Sequence, residues 1–237
     1  MGVYAGIAQW WIDIDPARWY GIASGVVTNG LVLALDAGIS RSYPGSGTTW
    51  TDLSGRGNNG TLTNGPTYSS DNGGVLDFDG TNDYASVAQN IIGTGNASHT
   101  LEMWVNFDVL TSGRWWLAVI GQYTGGSEHW IGSSPTSTQF GVWTGSQVTL
   151  DLLGINRWLH IVGTFNGTTL TYYVNNSVGG STSATFSFSN SNLNIGLPLS
   201  GENYFNGKIS NVRMYDRALT ASEVSQNFNA TRSRFGI

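Results

Sequence analysis

Apolar and polar positions alternate most clearly in TLEMWVNF, where Leu101, Met103, Val105 and Phe107 share one face of an extended segment and Glu102, Trp104 and Asn106 share the other. From Leu31 onward the chain is a series of such short runs: LVLALD, VLDFD, DYASV, TLEMWVNF, RWWLAVIG, FGVWTG, RWLHIVGTF, TLTYYVN, FSFS, LNIG and YFNGKISNVRMYD. They are rich in branched and aromatic side chains, and Gly, Asn, Ser and Asp separate them, which predicts strands and turns. Asn-Gly steps begin at Asn29, Asn59, Asn64, Asn72, Asn166 and Asn206 and mark tight turns, because both residue types tolerate positive φ. A helix is predicted only in LTASEVSQNFNATR, starting near Thr220 or Ser222 and ending before Gly236. Many strands with one terminal helix predict an all-β chain of two packed antiparallel sheets rather than alternating βα units.

The first 28 residues break this pattern. They hold Trp10, Trp11, Trp19 and Tyr20, and Asp15 with Pro16 could open a short helix. The expected organisation is an N-terminal arm, residues 1–28, followed by one domain, 29–237. The arm reads either as a strip covering the core or as a docking element whose four aromatics enter a partner, since Trp and Tyr concentrate at interface hot spots.

Composition narrows the function classes. With one lysine, Lys208, and a formal net charge of -5, the chain has little basic surface to replace the counterions of a phosphate backbone, so nucleic acid is not expected as a partner. No apolar run reaches the length of a membrane span, and MGVYAGIAQWWIDIDPARWY has no basic leader before an uninterrupted apolar core, so neither membrane insertion nor secretion by that route is expected. Cysteine is absent, which removes disulfides, thiol nucleophiles and thiolate metal sites.

Three aspartates, Asp77, Asp79 and Asp83, crowd the stretch VLDFDGTNDYASV. Asp77 and Asp79 fall on one face of a strand roughly 6 to 7 Å apart, pointing the same way, whereas a glycosidase needs carboxylates on opposite sides of the scissile bond. With Asn82 they supply hard oxygens for calcium, but Thr81, Asn82 and Ala88 stand where an EF-hand loop needs other residues. The simplest reading is a hairpin whose aspartates accept backbone N–H groups, with Asp77, Asp79, Asn82 and Asp83 as an alternative metal set; no cofactor is required and calcium stays open. His99, His129 and His160 lack zinc-type spacing. The mixed face of Glu102, Trp104 and Asn106, with Trp130 and Trp143, suits either a carbohydrate groove or a second packed layer.

Three ordered stretches carry a resemblance: LVLALDAG with WTDLSGRGNNGTLTNGPTY, then VLDFDGTNDYASV, then YFNGKISNVRMYDRALTASEV. They resemble the laminin-G-like branch of the concanavalin A-like lectin/glucanase superfamily, over about residues 29–230. The resemblance implies a jelly-roll sandwich with a short C-terminal helix, a fold that serves enzymes, lectins and structural modules alike. The E-x-D-x-x-E strand of its glucanases is absent, since Glu102, Glu128, Glu202 and Glu223 stand apart, so no enzyme is expected. The whole chain is similar to laminin-G-like proteins of tailed bacteriophages. This implies a non-enzymatic virion structural protein, a capsid decoration or a tail or fibre component, assembled in the host cytoplasm. Such a protein would dock on other virion proteins through its arm, form a homo-oligomer and bind host surface glycans. The alternatives are a carbohydrate-binding lectin outside a virion and a glycoside hydrolase.

Overall fold

A computed structural model describes residues 23–87, 90–109, 115–121, 128–134, 137–142, 147–151, 154–190, 192–198 and 203–237. Among them the chain forms β1 (Leu31–Asp36), β2 (Thr49–Trp50), β3 (Gly60–Thr63), β4 (Thr67–Ser69), β5 (Val75–Asp79), β6 (Tyr84–Val87), β7 (His99–Phe107) and β8 (Trp115–Ile120). There follow β9 (His129–Ser134), β10 (Ser137–Val142), β11 (Gln147–Asp151), β12 (Trp158–Phe165), β13 (Thr169–Val174), β14 (Ser177–Ser183), β15 (Leu193–Ile195), β16 (Asn206–Tyr215) and the helix α1 (Ala221–Thr231).

The strands build two eight-stranded sheets, and every pairing in them is antiparallel. The first runs β14-β13-β12-β7-β16-β5-β4, with β1 also paired to β16. The second runs β11-β10-β9-β8-β15-β6-β3-β2. The predicted all-β sandwich with a C-terminal helix is therefore the observed architecture. Alternation places Leu101, Met103, Val105 and Phe107 of β7 in the core, opposite Ala118, Ile120, Ile131, Leu193 and Ile195 of the second sheet. Removing this apolar surface from water, at about 25 cal/mol per Å², supplies the main stabilisation of a chain without disulfides.

VLDFDGTNDYASV is not the expected hairpin. Its first strand, β5, pairs with β16 and β4 in the first sheet, while β6 pairs with β15 and β3 in the second. The segment between them crosses from one sheet to the other. The aspartates do hold backbone groups there: Asp79 Oδ1 accepts from Thr81 N at 2.7 Å, and Asp83 Oδ2 accepts from Asp79 N at 3.2 Å. Gly80 adopts a φ of 75°, and a Cβ at this position would meet Asn206 Nδ2 at 2.7 Å. The corner thus needs glycine on two counts.

The helix follows the sequence expectation. Thr220 Oγ1 accepts from Glu223 N, and Glu223 Oε2 accepts from Thr220 N, a complete capping box. Val224 and Phe228 turn the helix's apolar side onto the outer face of the first sheet. The boundary drawn at residue 29 falls too late. Val26 and Val27 are buried against Tyr215, Leu219 and Val224, and Val27 N donates to Asn227 Oδ1 at 2.8 Å. The sandwich therefore includes the residues from Ala23 onward, and nothing is described of residues 1–22.

Candidate functional site

The polar face of β7 is closed. Glu102 and Trp104 have no exposed surface, because α1 and the turn that follows it lie on top of them. Trp104 stacks on Phe235 at 4.1 Å between ring centroids and on Phe228 at 5.8 Å, and its Nε1 donates to Thr231 Oγ1 at 2.9 Å. Glu102 Oε1 accepts from Arg213 Nη1 at 2.7 Å and faces His160 Nε2 at 3.1 Å, while Oε2 accepts from Asn227 Nδ2 at 2.6 Å. Burial pushes the Glu102 carboxyl up, but the Arg213 charge, with His160 and Asn227, outweighs it and holds the group at about 2. Of the two readings open in the sequence, this part of the face is the packed layer. Glu102 and Trp104 cannot meet a sugar here, and His160 is a core residue.

Asn106, the third residue of that face, lies beyond the helix. It shares a cross-strand row with Lys208 and Asp77. The Lys208 ammonium sits between Asp108 Oδ2, its hydrogen-bond partner, and Asp77 Oδ2 at 3.5 Å. Burial raises the Asp77 carboxyl, with the lysine pulling the other way. Two carboxylates, Asp77 of β5 and Asp108 just past β7, do approach each other here, but the ammonium lies between them.

The proposed metal set is divided among other tasks. Asp77 faces Lys208, Asp79 holds the corner backbone, Asp83 is buried with its carboxylate on Asp79 N, and the Asn82 carbonyl accepts from Asn64 Nδ2. Among the described residues, no group of three or more His, Asp or Glu side chains is arranged to hold a metal ion. Trp143 and the arm residues Trp10, Trp11, Trp19 and Tyr20 lie outside the described residues.

The outer face of the second sheet is different. Strand pairing aligns Thr49, Thr61, Ser86, Asn194, Val119 and Trp130 in one row that crosses six strands. Trp130 and Val119 are buried against each other, so Trp130 is an anchor at one end of the row. Beyond it the row is open and uncharged: Thr49 and Thr61 are exposed, and Ser86 and Asn194 are half-buried. Thr63 and Tyr84 form the next cross-strand pair on the same face, with Tyr84 half-buried. Hydroxyls, an amide and an aromatic ring on one sheet face provide hydrogen bonds and a stacking platform without charge. Sequence reasoning missed Thr49, Thr61, Thr63, Ser86 and Asn194, because isolated Thr, Ser and Asn are everywhere in this chain and only strand register brings these together. Tyr84 was visible in DYASV, but without the knowledge that β6 leaves the first sheet.

A family profile, the concanavalin A-like lectin/glucanases superfamily, matches residues 79–225, more than half of the chain. The chain belongs to this superfamily. Its relatives by structure share the fold. Domain 4 of AbnA, an extracellular arabinanase from Geobacillus stearothermophilus solved with arabinotriose, superposes with a TM-score of 0.67 at 17% identity, covering 85% of this chain and 98% of that one. The binding domain of botulinum neurotoxin serotype G gives 0.68 at 14%, covering 86% and 51%. A sialidase from Trypanosoma rangeli gives 0.66 at 19%, covering 86% and 33%. The superfamily member described here thus spans all of the arabinanase domain but only a third to a half of the other two chains. No curated protein sequence matches it.

Proposed function

We propose that this superfamily member is a non-enzymatic, glycan-binding jelly-roll domain whose sugar face is the outer side of the second sheet. The observation that carries the reading is the uncharged row of Thr49, Thr61, Ser86 and Asn194 beside Tyr84, the open face that remains once α1 has closed the other sheet. Its neutrality selects neutral sugars, since acidic ones would leave a carboxylate without a partner. The arabinanase domain solved with arabinotriose supports the same choice of ligand class. Against hydrolysis stands the Lys208 ammonium between Asp77 and Asp108, which neutralises and blocks the pair that a retaining mechanism would need free.

Binding of neutral oligosaccharides, arabinotriose among them, is expected by titration calorimetry or on a glycan array. Tyr84→Ala and Asn194→Ala should each weaken it about tenfold, the worth of one good contact, with thermal stability near that of the parent. Absence of binding to every neutral glycan, or unchanged affinity in both variants, would overturn the assignment. The setting we propose is the surface of a bacteriophage particle, supported by the sequence resemblance to phage laminin-G-like proteins. Weak sites repeated on a particle gain avidity of roughly 10²- to 10⁴-fold. Mass spectrometry of purified particles should find the chain in many copies if it decorates a capsid and in few if it belongs to a tail.

A further inference from the structure

The three titratable side chains at the centre of the sandwich take no part in the sugar face. His99 on β7 and His129 on β9 come from opposite sheets and meet with Nε2 and Nδ1 at 2.7 Å. His99 Nδ1 lies 2.8 Å from the Ala97 carbonyl, and His129 Nε2 lies 2.6 Å from the Tyr172 hydroxyl on β13. A carbonyl only accepts, so His99 carries its proton on Nδ1 and accepts on Nε2. His129 must then donate from Nδ1 and accept from Tyr172 on Nε2. With both imidazoles neutral, one arrangement satisfies these three contacts, and in it each ring carries its proton on Nδ1. All three residues are fully buried. Space confirms the fit: a Cβ on Gly163 of β12 would meet Tyr172 Cε1 at 2.7 Å and His129 Cε1 at 3.0 Å.

We propose that this chain of hydrogen bonds is an acid-sensitive latch between the two sheets, which holds β9 against β7 at neutral pH and releases it when either imidazole takes up a proton. A second proton on His99 would face its Nε2–H against the Nδ1–H of His129 unless His129 moved its proton to Nε2 and the Tyr172 hydroxyl turned to accept it, and in either case a charge would sit in an apolar shell. A second proton on His129 could be met by turning the Tyr172 hydroxyl from donor to acceptor, but its charge would remain in an apolar shell. That shell is aromatic: Phe165 of β12, Phe186 and Phe188 surround His99, and Phe186 also touches His129. From β7, β9, β12, β13 and the segment holding Phe186 and Phe188, the titratable groups facing one another are His99, His129 and Tyr172. Glu128 precedes His129, but among the described residues burial, the Ala97 carbonyl and the neighbouring ring are what act on the two imidazoles.

The direction is fixed by where the protons bind. Burial holds His99 down at about 4 and His129, with the neighbouring His99 adding to the effect, well below its ordinary value. Each ring titrates near its ordinary value once released, so the latched state is fully stable above about pH 6.5 and loses ground as pH falls toward 4. For one ring the equilibrium between latched and released forms shifts on the order of a hundredfold across that interval.

Nitrogen-15 NMR of the intact chain at pH 7 is expected to show both rings neutral with the proton on Nδ1. A proton on Nε2 of either ring, or a charged ring at pH 6, overturns the latch. Hydrogen exchange corrected for intrinsic rates should then show the amides of His129, Trp130 and Ile131 losing at least tenfold in protection between pH 7 and 4.5, while those of α1 keep theirs. Unchanged protection in β9, or equal loss in α1, overturns it as well. His99→Gln should flatten the pH response of β9 about tenfold, and if that variant does not fold, the measurements on the parent chain still decide.

Discussion

Arg213 and Glu102 show how a single buried pair converts a strand face into an interior. Both are nearly or fully buried, and Asn227 ties the carboxylate to the Tyr215 hydroxyl, which in turn donates to the Val27 carbonyl at 3.0 Å. Breaking such a pair leaves a charge stranded, at a cost of roughly 3 to 5 kcal/mol. Glu102→Gln should therefore destabilise strongly in a denaturant titration, and Trp104→Ala by a similar ~3 to 5 kcal/mol through the lost stack with Phe228 and Phe235. The sign of the pH effect follows from the lowered carboxyl. Glu102 contributes its full stabilisation above its ordinary pKa near 4.5 and loses it as pH falls toward about 2. Melting temperature against pH should hence show this loss below the window in which the histidines act. At this scale the sequence was half legible. The alternation of TLEMWVNF identified the Glu102, Trp104 and Asn106 face, but whether that face meets sugar or protein depends on a helix more than a hundred residues away. The histidine pair was invisible, because 30 residues separate His99 from His129 and spacing rules test neighbours only.

Elements with strong local signals stand where the pattern put them. LVLALD, VLDFD and TLTYYV are strands with the expected bounds or within a residue of them, and the Thr220-Ala-Ser-Glu223 box starts the helix. Thr220→Ala should cost about 1 kcal/mol, measured by chemical denaturation, because it orphans one N–H of the first turn. Glu223 also forms a two-pronged pair with Arg217, at 2.7 and 2.9 Å, so Glu223→Ala should cost more than the cap alone. The strands that escaped notice, GTLT, TYS, HWIGSS, QVTLD and SVGGSTS, are short or rich in Ser, Thr and Gly. Their pairing partners, rather than their own side chains, make them strands. The two-residue loop joining β13 to β14 was missed for a related reason: it is Asn175-Asn176, with φ of 46° and 67°, where Asn-Gly was the signal sought. The eighty-odd corner between β5 and β6 was read as a hairpin because both designs use the same turn residues. Local chemistry sets the bend, and only the partners of each strand decide whether it returns to the same sheet.

For the molecule as a whole, the fold was the most legible level and the ligand the least, since superfamily membership fixes a scaffold on which many sites can be built. The packing of Val26 and Val27 gives a test. Removal of residues 1–22 should leave a cooperatively folding domain, whereas removal of 1–28 also strips Val26 and Val27 from the layer under α1 and should lower stability by roughly 3 kcal/mol or more, on the scale of two buried valines. Circular dichroism melts of the two truncations would separate these outcomes. A last consequence concerns β16. This strand, the last of those described, is central in the first sheet: it pairs with β7 on one side and with β5 and β1, laid end to end, on the other. A ribosome delivers the chain from its N-terminus, so β1, β5 and β7 emerge long before the strand that joins them. The first sheet cannot close until β16 has been made, and its earlier strands wait until then with open edges, the period in which chaperones matter most.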